Sequence, residues 1–155
     1  MVYQVVYPRT MLLTNSDKIK HLVATQKQGL SLAQDFYKDI DVYQAEINNI
    51  FMKHWLFAGH VSQIPNVGDY FTFEFDTESV IILRSTVSEV KAHMNVCRHR
   101  GSKICLEQSG TQKSLTCPYH AWNYNLDGEL ISVRNMTDDF ELSENCLHLS
   151  IIQFW

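Results

Sequence analysis

The chain has 155 residues, enough for one domain or one and a fraction, and at this size folding buries roughly 68–70% of the unfolded surface. A hydrophobic share of 45% and a charged share of 19% read as a soluble globular protein, and a net charge of −4 argues against general nucleic-acid binding. No apolar run approaches the ~20 residues that span a bilayer, and the first stretch, MVYQVVYPRTMLLTNS, lacks the sustained apolar core of a signal peptide, so a cytoplasmic protein without membrane or nucleic-acid partners is expected.

The first third reads helical. Asn15 or Ser16 can cap a helix that places Ile19, Leu22 and Val23 on one face, and Gln28-Gly29 breaks it. Asp41 with Gln44 three residues later has the spacing of a capping box. Behind it Tyr43, Ile47, Ile50 and Phe51 form a core-facing stripe that His54, Trp55 and Phe57 continue, giving an expected helix over 41–57. From Pro65 the period changes to two. A turn around Gly68 leads into YFTFEF, where Phe71, Phe73 and Phe75 oppose Tyr70, Thr72 and Glu74. DTES at 76–79 is a loop, VIILR a second strand, and KAHMNV a third that runs into Cys97. Ser109-Gly110 reads as a turn, SLTC brings the chain to Cys117, and Asp127-Gly128 between strand-like runs is a hairpin signal. The expected class is mainly β, antiparallel, preceded by an N-terminal helical region.

The chemistry concentrates in CRHRG and CPYH. Cys97-x-His99 and Cys117-x-x-His120 are separated by seventeen residues, and each string pairs one thiolate with one imidazole. Two mixed pairs suit a two-iron cluster with sulfur ligands on one iron and nitrogen ligands on the other, the Rieske variant of [2Fe–2S]. Neutral imidazole removes negative charge, which raises the potential to roughly −150 to +300 mV, against about −400 mV for the four-Cys plant type. A single tetrahedral zinc is another reading, although zinc modules usually pair like residues. Four core residues without metal is the third. The remaining thiols, Cys105 and Cys146, are expected to be small buried hydrophobes, with a Cys105–Cys146 disulfide as the lesser option. Both ligand strings fall on loops after strands, with Gly101 and Pro118 at bends beside them.

The stretches FMKHWLFAGHVSQIPNVGDYFTF, NVCRHRGSKIC and LTCPYHAWNYNLDGEL, within roughly residues 30–155, resemble the N-terminal part of the α subunit of Rieske non-haem iron oxygenases. The resemblance implies a [2Fe-2S] cluster with Cys97 and Cys117 on one iron and His99 and His120 on the other, near the surface. It implies a domain at 41–155, after an extension at 1–40, closing in a strand that enters a catalytic domain. It implies electrons from a reductase or ferredoxin, a mononuclear Fe(II) that activates dioxygen in another domain or chain, and a trimer when complete. Respiratory Rieske proteins carry a disulfide and a serine that are replaced here by Ser102 with Tyr119 and by Trp122, while Tyr124 matches their tyrosine. Those losses imply a potential low in the Rieske range. The usual glycine after the second histidine is Ala121.

No Asp-x2-His-x3-4-His stretch of the mononuclear site is present, so the chain alone is expected to transfer electrons and to hydroxylate nothing. His21, His54, His60, His93 and His148 show no ligand pattern, and structural or solvated roles are expected for them. The apolar run LHLSIIQFW suggests either a truncated subunit or half of a split one, and a free-standing Rieske ferredoxin is the alternative. Arg98, Arg100 and Lys103 read equally as a docking surface for an acidic electron donor and as a solvated loop. Trp122 reads either as a cover for the cluster or as plain core packing, with shielding expected. The wording around CRHRGSKIC and CPYHAW looks closer to members that act on quaternary ammonium compounds than to those that act on naphthalene-type aromatics.

Overall fold

The structure, a computed structural model, describes residues 2–6, 16–134, 136–137 and 139–154. The chain divides into two compact units, Val6–Leu56 and a second made of Met1–Val5 with Phe57–Trp155.

The first unit is helical: α1 Ser16–Thr25, α2 Asp35–Lys38 and α3 Ile40–Asn49, followed by a 3-10 turn at Phe51–Lys53. The cap of α3 is Asp39, two residues earlier than the spacing suggests. Its carboxylate accepts from the Asp41 N–H at 3.0 Å and takes Lys18 Nζ at 2.5 Å. The lysine, bonded to Asp39, holds that carboxyl below the ordinary range. The expected helix over 41–57 stops at Asn49, whose side chain donates to the Ala45 carbonyl instead of continuing the helix face outward. By His54 the backbone is extended, and Leu56–His60 is strand β2. Its partner is β1, Val2–Val6, so a non-local pairing takes this segment from the helix. The expected stripe is therefore only partly a core. Ile47 is buried, whereas Tyr43, Ile50 and Phe51 are exposed, as is Val23 on α1. Asn15 lies outside the described residues.

The second unit carries three sheets, in the orders β10-β1-β2, β5-β4-β3-β6 and β7-β8-β9, and the second and third are antiparallel. The central sheet joins β3 Asp69–Phe75, β4 Glu78–Arg84, β5 Val90–Met94 and β6 Ser109–Thr111. Ser109-Gly110 is thus a strand edge and not the expected turn, with Tyr70 opposite Gly110 and Phe71 opposite Ser109. Removing the side chain at 110 allows the Tyr70 ring to lie over the backbone; a Cβ there would meet its Cε1 at 3.0 Å. The β3–β4 hairpin turns on Asp76-Thr77, with Asp76 in the left-handed region at φ 52°. Every residue of β4 from Ser79 to Leu83 is buried, so this strand is covered on both faces.

The small third sheet joins β7 Leu115–Thr116, β8 Asn123–Tyr124 and β9 Leu130–Ser132. The hairpin signal at Asp127-Gly128 is real, but the turn is longer than two residues. Asn125 organises it by accepting from the Asp127 and Glu129 N–H groups at 3.0 and 2.9 Å. β10, Ile151–Phe154, ends the described chain; Trp155 lies outside it. Among the described residues no helix is long and apolar enough to cross a membrane.

Candidate metal centre

One core joins the two sheets that feed the ligand strings. Cys97, Cys117, Trp122 and Tyr124 pack in it with Tyr70, Ile81, Leu83 and Leu115. CRHRG follows β5 and CPYH follows β7, as their placement after strands suggests. The two loops have the same local build. In the first, the Cys97 N–H donates to the Ser102 carbonyl at 2.8 Å and the Gly101 N–H donates to the Cys97 carbonyl at 2.9 Å. In the second, the Cys117 N–H donates to the Trp122 carbonyl at 2.8 Å and the Ala121 N–H donates to the Cys117 carbonyl at 3.0 Å. The fourth residue after each cysteine is left-handed, Gly101 at φ 70° and Ala121 at φ 56°.

This repeated build brings like residues together. Both thiols lie at 2% exposure, and Cys117 is one of the groups that perturb Cys97. Burial pushes the Cys97 thiol up, and bonds from the Tyr124 hydroxyl and the His99 backbone oppose that. The histidines pair half-buried, their ring centroids 4.7 Å apart at 73°. Nδ1 of each is buried without a hydrogen-bond partner. Desolvation, then His120, favours the neutral form of His99, the form in which imidazole ligates metal. Among the described residues no three of His, Cys, Asp or Glu gather as a site for one ion. The four gather two by two, sulfur inside and nitrogen outside. Two orphaned imidazole nitrogens beside two buried thiols fit the donor set of a cluster that takes two protein ligands on each iron.

Three neighbours fix this arrangement. The Tyr124 hydroxyl, delivered by β8 after the second loop, meets Cys97 Sγ at 3.3 Å and accepts from the Arg98 N–H at 3.2 Å, tying one loop to the other. Burial, then the Cys97 neighbour, pushes its phenol up from the ordinary range. The Trp122 indole stacks on His99 at 4.8 Å and 12°, and Phe140 meets the indole edge-on at 5.4 Å. Trp122 is 2% exposed and packs in the core beside His99. Sequence reading missed Asn95. Buried at 2%, its Nδ2 donates to Ser79 Oγ and the Cys105 carbonyl, and its Oδ1 accepts from the Ile104 and Cys105 N–H groups at 3.0 and 2.9 Å. It thereby clamps the entry of the first loop to its exit. An asparagine two residues before a ligand string carries no pattern that announces this.

The other candidates fall elsewhere. His93 is fully buried, with Nε2 bonded to the Leu126 carbonyl at 3.2 Å. His60 caps the 3-10 turn at Val61–Gln63, and His54 bonds the Ile50 carbonyl. All four cysteines are free, so the Cys105–Cys146 disulfide is not formed. Cys105 is buried, and burial pushes its thiol up to about 11. Cys146 is half-exposed and bonds the Ser143 carbonyl. Arg98 and Arg100 are exposed beside the first loop, Arg98 against His148, while Lys103 is tied to Glu74 at 2.6 Å.

Comparison with known proteins closes on one family. The model of the Rieske [2Fe-2S] domain matches residues 54–150. The glycine betaine monooxygenase oxygenase subunit of Chromohalobacter salexigens is 41% identical over 124 residues, 79% of this chain and 28% of that protein. Benzene 1,2-dioxygenase subunit alpha of Pseudomonas putida is 38% identical over 104 residues, 67% of this chain and 23% of that protein. Among solved structures, naphthalene 1,2-dioxygenase from Rhodococcus sp. bound to indole superposes with a TM-score of 0.76 at 28% identity, over 89% of this chain and 33% of that one. A quaternary ammonium Rieske monooxygenase superposes with a TM-score of 0.67 at 35% identity, over 74% and 32%. The chain therefore spans less than a third of the length of the curated relatives it matches.

Proposed function

The chain belongs to the Rieske [2Fe-2S] domain family, and from that premise we propose that it is the electron-transfer domain of an oxygenase. In this reading Cys97 and Cys117 hold one iron and His99 and His120 the other. The observation that carries it is the sorting of the four side chains into a buried thiol pair and a half-buried imidazole pair with orphaned Nδ1 atoms. When bound, the cluster supplies a carrier for one electron at a time. The protein's own part is to hold, insulate and tune. The thiols sit in the core. Trp122 and Phe140 wall off the His99 side, and exposed Tyr119 packs on His120 at 3.9 Å, so His120 lies nearer the surface of exchange.

Electrons enter from a reductase or ferredoxin and leave to a mononuclear iron that activates dioxygen in a further domain or subunit, within a trimer. Relatedness to oxygenase subunits of both monooxygenases and dioxygenases supports this direction of flow. Arg98 and Arg100, exposed beside the first loop, form the docking edge for an acidic donor, whereas Lys103 is engaged by Glu74. The substrate class of the whole oxygenase is a quaternary ammonium compound, a reading supported by the larger share of this chain that the betaine enzyme matches; it fails if oxygen uptake by the reconstituted oxygenase responds to benzene and not to glycine betaine.

The decisive measurement is an optical and paramagnetic resonance spectrum of the anaerobically purified chain, before and after dithionite, with iron and zinc counted. Two irons per chain and the low average g of histidine-ligated clusters are expected. One zinc in a colourless protein overturns the reading. Serine at Cys97 or Cys117 is expected to abolish the signal.

A further inference from the structure

The Trp122 indole is more than a wall. Its Nε1 is buried without a partner, and its ring lies at 12° to that of His99, whose Nδ1 is orphaned in the same way. An indole N–H can only donate, and leaving a buried donor unmade costs its full desolvation. Nearby side chains offer it nothing: Phe140 covers the ring edge-on, and the carbonyl of Trp122 itself is engaged by the Cys117 N–H. Two stacked rings therefore each present an unsatisfied polar atom, one a donor and one an acceptor. A single bound group that offers iron to the imidazole and sulfur to the indole satisfies both.

We propose that the Trp122 N–H donates a hydrogen bond to a sulfur of the cluster and thereby sets its potential. The inference rests on the ligand assignment given above and deepens it. A donor to sulfur stabilises the reduced, more negative cluster. Loss of the bond lowers the potential.

The test is Trp122→Phe, which keeps an aromatic ring for stacking on His99 and removes only the N–H. Iron is counted first, and the midpoint is then read by anaerobic spectroelectrochemical titration of the isolated chain. At the wild-type midpoint the variant is expected to be about tenfold more oxidised than reduced, a shift of about 59 mV for one electron. A second measurement needs no variant. Wild-type chain labelled with 15N at the indole nitrogens is reduced and read by pulsed paramagnetic resonance, where a weak 15N coupling absent from the unlabelled protein is expected. A fully loaded Trp122→Phe with an unchanged potential, or a loaded wild type without 15N coupling, overturns this inference and leaves the ligand assignment standing. A wild-type chain that takes up no two-iron cluster overturns both.

Discussion

The two ligand loops are built alike and supported differently. Each returns on itself through the same pair of backbone hydrogen bonds, and each places its fourth residue after cysteine in the left-handed region. The first loop uses glycine at that station and is locked from below by Asn95. The second uses Ala121, which pays the cost of a Cβ at positive φ, and is held by aromatic side chains, Trp122 over His99 and Tyr119 on His120. One loop is thus secured by polar saturation and the other by stacking. The difference locates where each is vulnerable: the first to loss of a single amide, the second to loss of ring contacts.

The largest effect expected from breaking this comparison is at Asn95. Asn95→Leu fills the volume but leaves the Ile104 and Cys105 N–H groups and the Cys105 carbonyl without partners. At roughly 1–3 kcal/mol for each unsatisfied buried group, a loss on the order of 3 kcal/mol is expected in urea unfolding of the iron-free chain. An effect under about 1 kcal/mol removes the clamp from the account. Gly101→Ala comes next. A Cβ there has open space, so only the left-handed conformation opposes it, and about 1 kcal/mol of destabilisation is expected in the same assay. Ala121→Gly reverses the logic at the matching station. It relieves the strain, regains disorder in the unfolded chain, and leaves a net gain of about 0.5 kcal/mol. If both substitutions destabilise equally, the two stations are not equivalent.

The smallest effect near neutrality is one of pH. His93 on β5 leads into the first loop, and no comparable buried imidazole stands on β7. Burial holds its pKa below the ordinary 6.5, with Lys91 pushing the same way and the Leu126 carbonyl and Asp127 opposing. The unfolded chain then binds the proton more readily than the folded one. Stability is fully present above about 6.5 and is lost as pH falls toward the depressed value. Amide exchange at Gly101 is expected to accelerate on acidification before that at Ala121. His93→Gln, which keeps a polar group of similar reach, is expected to remove the difference; equal acceleration in both loops dissociates His93 from the first.

Much of this site is legible in the chain of letters because ligand chemistry depends on local spacing. Cys97-x-His99 and Cys117-x-x-His120 announce themselves, and so do the flanking strands, whose periodicity of two is local. What escapes is non-local. The helix expected through residue 57 ends at Asn49 because β2 finds β1 at the far end of the sequence, and no window containing the segment shows that partner. Ser109-Gly110 has turn residues but serves as an edge because Tyr70 needs a bare backbone beside it. Asn95 escapes for another reason: its value lies in four hydrogen bonds to segments nine, ten or sixteen residues away, and asparagine before a loop is otherwise unremarked. The stripe at Tyr43, Ile50 and Phe51 misleads because helical periodicity marks an apolar face without saying how much of it is covered.

The depth of the two thiols has a consequence for assembly. At 2% exposure Cys97 and Cys117 are out of reach of any iron carrier approaching the finished fold. On the proposed ligand assignment, metal delivery would coincide with folding of the chain or require a local opening of the loops. The Tyr124 hydroxyl, carried by β8, holds the first loop at Cys97 and Arg98, so an opening that frees Cys97 must break both of these bonds.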